Sequence, residues 1–314
     1  MKYSQESLIK KAEELGFQSI GVSRCEELSD EARKLERWLN ANNHGEMRYM
    51  EKYFDLRINP AKLHPGTRSV IVLSFNYSYE PPIQSDVKIA RYAYGEDYHL
   101  VLRQKVKSLE DWMRLQYGDI SLRACIDSAP IMERIWAQKS GLGWNGKNTL
   151  NISPKNGSYY FLVCLLTDLE FEYNQPIRDH CGTCTRCIDA CPTEAIHEDG
   201  YILDASKCIS YLTIELKNNI PEEFKPKMHD WVFGCDICQE VCPWNRFAEN
   251  HKEVEFMPNK KILDLSSMDW INLSDEEWKL ISKRSPLKRT GKSGMQRNVR
   301  FVMNNSYYNE QNTH

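Results

Sequence analysis

No stretch of this 314-residue chain reaches the ~18 consecutive apolar residues that a membrane-spanning helix needs. Its opening segment, Met1-Lys2-Tyr3-Ser4-Gln5-Glu6, has neither the apolar core of a secretory signal nor a twin-arginine run. A cytoplasmic location without membrane contact is therefore expected. A phosphate-binding P-loop is also missing, which argues against ATP use. Charge of one sign is scarce too. With 41 Lys and Arg against 44 Asp and Glu, the net charge is −3, and the whole molecule has no general pull on a polyanion. The length is enough for two to three units and a large core, so covalent staples are not required.

What is abundant is cysteine, with eleven residues. Eight fall into a pattern: Cys181-x2-Cys184-x2-Cys187-x3-Cys191-Pro192, then Cys208, then Cys235-x2-Cys238-x3-Cys242-Pro243. Three thiolates two residues apart can wrap one corner of a [4Fe–4S] cubane. The cysteine before Pro points away and ligates the other cluster. One cluster is thus expected on Cys181, Cys184, Cys187 and Cys242. The other takes Cys191, Cys208, Cys235 and Cys238, with Cys208 replacing the missing first cysteine of the second run. Paired Cys-x2-Cys also suits zinc, but the Cys-Pro endings are specific to clusters. Without a secretory signal, disulfides are not expected. Cys125 and Cys164 sit in apolar, strand-like segments and read as core residues.

Alternating periodicities organise the first part of the chain. Residues 5–15 are helical and stop at Gly16; 17–22 read as a strand and 29–42 as a charged helix. Ser69 to Phe75 is a buried strand, 97–117 a helix, 120–126 a strand, 130–140 a helix with Pro130 near its start, and 158–167 the strongest strand. The fold class is α/β (α+β). Three units are expected: 1–175, an α/β catalytic domain; 176–248, a ferredoxin-like two-cluster domain; and 249–314, a basic C-terminal extension. Gly141-Leu142-Gly143-Trp144-Asn145-Gly146 matches G-x-G-x-x-G. However, a helical pattern precedes it and none follows, so a helix stop and tight loop fit better than a dinucleotide site.

Several segments together resemble the epoxyqueuosine reductases. They are Arg57-x2-Pro60, Leu63-x-Pro65-Gly66-x-Arg68-Ser69-Val70-Ile71, Arg91-Tyr92-Ala93-x-Gly95-x-Asp97-Tyr98-His99, and Asp127 with Glu133-Arg134. The glycine loop through Lys147-Asn148, Gly157-Ser158-Tyr159, the cysteine runs, and Ser285-Pro286-Leu287-Lys288-Arg289 complete the set. The match covers roughly residues 50 to 300. The resemblance implies a nitroreductase-like cobalamin domain joined to a ferredoxin-like module. It implies reduction of epoxyqueuosine to queuosine at the wobble position of tRNA, using two [4Fe–4S] clusters and cobalamin. An external flavodoxin or ferredoxin would supply electrons, and a monomer is expected. Two departures stand out. Many members continue into a helical-repeat domain, whereas this chain stops at His314. Some members also carry a cysteine where this chain has Ala90.

Asp127 ends a strand, where a carboxylate can project into a cleft; desolvation there would raise its pKa and keep a proton at neutral pH. The resemblance makes it the proton donor; the bland role is a cap for the helix near Pro130. For cobalamin, the resemblance points to Arg57, Asp127, Lys147, Asn148, Asn151, Ser153, Ser158, Ser210 and Asp236. Polar side chains beside glycines suit the corrin amides and the phosphate tail, and Ser210 and Asp236 flank cluster cysteines. No Asp-x-His-x-x-Gly segment offers a histidine ligand to cobalt, consistent with a base-off cofactor. Asp97 reads as a helix cap, and His99 as either a packed helix residue or a substrate-side group.

Between Glu277 and Glu310 there is no acidic residue, while eight basic ones occur. Lys283, Arg284, Lys288, Arg289, Lys292, Arg297 and Arg300 are taken as a tRNA-backbone patch rather than a solvated tail. Two other functions fit parts of the pattern. A cobalamin-dependent reductive dehalogenase would use a tyrosine acid and an export signal. A non-catalytic two-cluster electron carrier would bind no corrinoid.

Overall fold

The computed structural model describes residues 2–80 and 85–311, with side chains through 303. At its centre is a four-stranded antiparallel sheet in the order Ser19–Arg24, Ser69–Asn76, Tyr160–Thr167, Leu122–Cys125. The two central strands are apolar at nearly every position because both faces are covered. Ile71, Leu73, Phe75, Val163 and Leu165 face one core, closed by Leu8 and Ala12 of the helix Glu6–Glu14 and by Val101, Leu102, Val106, Leu109 and Met113 of the helix Tyr98–Tyr117. The alternate positions Val70, Val72, Cys164 and Leu166 face a second core with Cys125, Ile131, Trp136 and Leu142. Cys125, on the edge strand, and Cys164, on its central neighbour, are paired in register as buried free thiols. Because the sheet is antiparallel, the alternation of helices and strands gives an α+β layer, not a wound parallel sheet.

Packing crosses the unit boundaries at 175 and 248. A third core joins Val87, Ile89 and Tyr94 to Leu212, Trp231 and Phe233, and to Ile262, Trp270, Leu287, Met295 and Val299. A short parallel pairing of Lys88–Ile89 with Trp231–Phe233 ties the same segments by backbone. Ile262, Trp270, Leu287, Met295 and Val299 of the C-terminal segment therefore belong to a shared core. Nor does the helix expected from Pro130 begin there. It runs Glu133–Lys139, and Met132 precedes it without a side-chain cap. The residues from Ile126 to Met132 form an irregular turn instead. The G-x-G-x-x-G loop forms a small hairpin of Trp144–Asn145 with Asn151–Ile152, so no helix follows it.

Candidate active site

Asp127 leaves the sheet just beyond the strand Leu122–Cys125 with φ 54°, a left-handed conformation that aspartate tolerates better than most residues. This turn aims its carboxylate at the first turn of the helix Tyr98–Tyr117. Tyr98 Oη donates to Asp127 Oδ2 at 2.6 Å, and His99 Nε2 lies 3.4 Å from the same oxygen. The other ring nitrogen, His99 Nδ1, is 2.8 Å from Asp97 Oδ1. Asp97 also caps the helix by accepting from His99 N. The imidazole is thus held between two carboxylates, with Tyr98 stacked on one side of it and on Phe161, both at 4.2 Å.

The charges follow from this geometry. Burial alone would raise the Asp127 carboxyl, but hydrogen bonds from His99 and Tyr98 hold it below its usual value. Hydrogen bonds to Asp127 and Asp97 lift His99 to about 9, against burial. The resting pair at neutral pH is therefore carboxylate and imidazolium. This corrects the expectation that desolvation leaves the proton on Asp127: the proton sits on His99. Asp127 is also not a helix cap.

The Asp127 side chain is 64% accessible. The charge of Asp127 reaches Glu133, whose carboxyl burial pushes up to about 8. Arg57 Nη2 donates to Tyr49 O at 2.8 Å. An accessible carboxylate with Tyr98 and Glu133 beside it suits the polar, amide-bearing rim of a corrinoid.

The eight cysteines of the two runs gather in two groups. Burial pushes Cys187 up to about 11, and the fields of Cys181, Cys242 and Cys184 add to it. Burial likewise raises Cys235 and Cys238, with Cys208 and Cys191 acting on both. The short helices Arg186–Asp189 and Ile237–Glu240, which carry Cys187 and Cys238, pack on each other, so that Cys242 joins Cys181 and Cys184 while Cys191 joins Cys208 and Cys235. Donors point at the sulfurs. Trp144 Nε1 is 3.4 Å from Cys181 Sγ, Ala195 N is 3.4 Å from Cys191 Sγ, and Ser210 hydrogen-bonds Cys208. Such N–H···S and O–H···S bonds are how a protein tunes a cluster, so the donor set fits two cubanes.

The polar residues around the glycine loop are mostly engaged by protein. Asn151 accepts from Tyr160 Oη at 2.7 Å and donates to Asn145. Ser153 Oγ accepts from Lys155 N. Ser158 is bound by Gln239 Nε2 at 3.1 Å and by Asn245. Asn148 Nδ2 reaches Cys238 O at 3.5 Å, and Lys147 backs onto Gly200 while its carbonyl accepts from Tyr201 N. These residues join the sheet to the cysteine runs. Asp236 is buried and accepts from Arg91 N at 2.7 Å; burial pushes its carboxyl up to about 7.

The basic segment divides. Arg284 is paired with Glu96 (3.0 and 2.6 Å), and Lys292 with Asp275. Arg297 donates to the carbonyls of Leu212 and Leu216, a structural role. Arg289 forms a two-bond pair with Glu215, lies 5.8 Å from the Tyr49 ring, and acts on Asp127. Among the described residues Lys283, Lys288 and Arg300 are exposed and have no ion-pair partner. Sequence reasoning missed Tyr98, Glu133 and Tyr49 as site residues. Tyr98 and Glu133 lie in segments that carry the family resemblance, yet only the fold brings them to Asp127.

A family described as "4Fe-4S double cluster binding domain" matches residues 180–245, which sets the chain among the two-cluster iron–sulfur redox proteins. A second, described as "Epoxyqueuosine reductase QueG, DUF1730", matches 57–128, from Arg57 to just past Asp127. The epoxyqueuosine reductase of Cyclobacterium marinum is 50% identical over 299 residues, 94% of this chain and 95% of that one. The chain belongs to the epoxyqueuosine reductase family. A crystal structure of an epoxyqueuosine reductase with an epoxyqueuosine-modified tRNA-Tyr stem loop superposes with a TM-score of 0.89 at 30% identity, covering 95% of this chain and 80% of that one. The Bacillus subtilis enzyme, solved with an aspartate-bearing catalytic loop swung out of the active site, superposes at 0.88 and 29% identity over 95% and 80% of the two chains. Among the described residues no helix is long and apolar enough to cross a membrane.

Proposed function

We propose that this chain reduces epoxyqueuosine to queuosine at the wobble position of tRNA. The observation that carries the reading is the Asp97–His99–Asp127 network, which presents an accessible carboxylate in a family of this activity. The reaction takes an epoxide, two electrons and two protons to an alkene and water. Cobalamin held base-off and two [4Fe–4S] clusters, fed by a flavodoxin or ferredoxin, supply the electrons when bound. The cluster ligands are Cys181, Cys184, Cys187 and Cys242, and Cys191, Cys208, Cys235 and Cys238. The sheet body is the cobalamin unit. Arg57 and Asp127 stand at its open wall, while Ser210 and Asp236 flank the cluster side. Lys147, Asn148, Asn151, Ser153 and Ser158 set the glycine loop that closes it.

Asp127 is the proton donor to the epoxide oxygen, and His99 is its proton source. Water reaches Asp127 freely in the open site. Filling the space removes that water and disfavours the charged pair. The proton then moves from His99 Nε2 to Asp127, while Asp97 keeps the imidazole oriented. Tyr98 fixes the same carboxylate oxygen. Lys283, Lys288 and Arg300 offer free charge to the tRNA backbone, and Arg289 stands nearest the acid. A wobble base must be splayed from its loop to reach this depth.

The test is anaerobic reconstitution with iron, sulfide and cobalamin, followed by reductant and an epoxyqueuosine-bearing stem loop. Loss of one oxygen from the nucleoside, dependent on cobalamin and abolished in Asp127→Asn, is the expected outcome. A folded two-cluster protein that binds no corrinoid would make it an electron carrier instead.

A further inference from the structure

The glycines and the tryptophan of the G-x-G-x-x-G loop have no part in the proposed reaction. The glycines are placed for close approach. A Cβ on Gly143 would collide with the Ile152 carbonyl, and one on Gly146 would collide with Ile152 Cδ1 and lie 3.4 Å from Cys181 Sγ. Side chains there would part the hairpin or crowd the sulfur. Between the two glycines, Trp144 is wholly buried, and its indole N–H reaches Cys181 Sγ at 3.4 Å. Trp244 at 4.9 Å and His180 at 5.0 Å hold the ring edge-on. The backbone N–H of Lys147 bonds the same sulfur. The other cysteines are served differently. Cys191 accepts from Ala195 N, Cys208 from Ser210 and Tyr211, Cys235 from Ile237, and Cys242 from Trp244 and Asn245, each within four positions along the chain. Trp144 donates to Cys181 across 37 positions, from the hairpin that follows the sheet's helix Glu133–Lys139.

One-electron reduction of a cubane adds negative charge that its thiolate sulfurs share, and a hydrogen bond to a charged acceptor strengthens as that charge grows. A donor fixed on one sulfur therefore favours the reduced state. We infer that Trp144 is a positioning residue for electron transfer: its Nε1–H, donated to Cys181 Sγ, raises the reduction potential of the cluster held by Cys181, Cys184, Cys187 and Cys242. The glycine loop is then the means by which the sheet unit sets the potential of a cluster in the cysteine runs. The inference rests on the two-cluster part of the reading above and needs neither corrinoid nor tRNA.

The test is a potentiometric titration of the full chain loaded with iron and sulfide, with dithionite as the electron source and EPR as the readout. Trp144→Phe removes the donor and some volume. Replacing Trp144 with β-(3-benzothienyl)alanine keeps the bicyclic shape and puts a sulfur where the N–H was. In both variants iron per protein is expected to match wild type. One of the two cluster potentials should fall by about 59 mV, an about tenfold shift in a one-electron equilibrium, while the other holds. If the benzothienyl variant keeps both wild-type potentials, the inference is overturned, and a fall confined to Trp144→Phe is then lost packing. If that variant loads less iron than wild type, the indole holds the cluster instead of setting its potential, which also overturns it. Wild type that loads fewer than two clusters overturns the inference together with the two-cluster reading. Two clusters with the expected shift, in a chain that leaves epoxyqueuosine intact, overturn the proposed reaction alone.

Discussion

At the scale of single residues, the acid of this site is defined by its neighbours. Asp127 was recognisable in the sequence as a strand-end carboxylate, but its ionisation was not, because His99 lies 28 positions away and meets it only in the fold. Replacing Asp127 with Asn keeps the shape and removes the transferable proton. Turnover should fall ~10²–10⁴-fold with iron content unchanged, measured by nucleoside mass and metal analysis. The pH profile has a definite sign. His99 is raised to about 9, so the pair carries its proton below that value and loses it above. The alkaline limb of kcat/KM should fall near pH 9. In Asp97→Asn, one of the two carboxylates supporting the imidazolium is gone, and the limb should move to lower pH. The same shift stabilises the fold below the ordinary histidine pKa of ~6.5, an effect lost as pH rises through about 9.

At the scale of elements, the joint between sheet and cysteine runs depends on close backbone contact. Gly157 has φ 68°, and a Cβ there would lie 2.2 Å from Asn245 Oδ1. That oxygen accepts from Ser158 N at 2.6 Å, so it cannot give way without breaking the joint. Gly157→Ala should cost at least ~1 kcal/mol from backbone conformation alone. It should also speed cluster loss to a chelator, followed by visible absorbance. The cysteines separate by element as well. Cys208→Ser should cut iron per protein by about half. Cys125→Ser, buried in the second core away from the cysteine runs, should leave iron unchanged. The strands were legible because their apolar runs are long and bounded. The helix start at Glu133 was not: the turn from Ile126 to Met132 that delivers Asp127 displaces it past Pro130.

At the scale of the whole molecule, the basic segment is not a uniform tail. Its residues are distributed between the third core, ion pairs and solvent. Arg297 holds carbonyls of the segment Leu212–Leu216, so Arg297→Gln should lower stability by ~1–3 kcal/mol in a denaturant melt while leaving the salt dependence of stem-loop binding alone. Lys283→Gln and Lys288→Gln should do the reverse. Each should reduce the salt slope by up to ~1 with the melt unchanged. A reversed result would place the phosphate contact on the paired arginines.

The sequence by itself determined the cluster chemistry and the strands of the central sheet. Those follow from spacing and periodicity, which are properties of nearby residues. Only the tertiary structure decided where the proton rests and which basic side chains remain free. It also decided that the C-terminal segment shares a core with Val87, Ile89 and Tyr94. Each of these depends on groups far apart in the chain being desolvated together. Burial and pairing of that kind have no local signature.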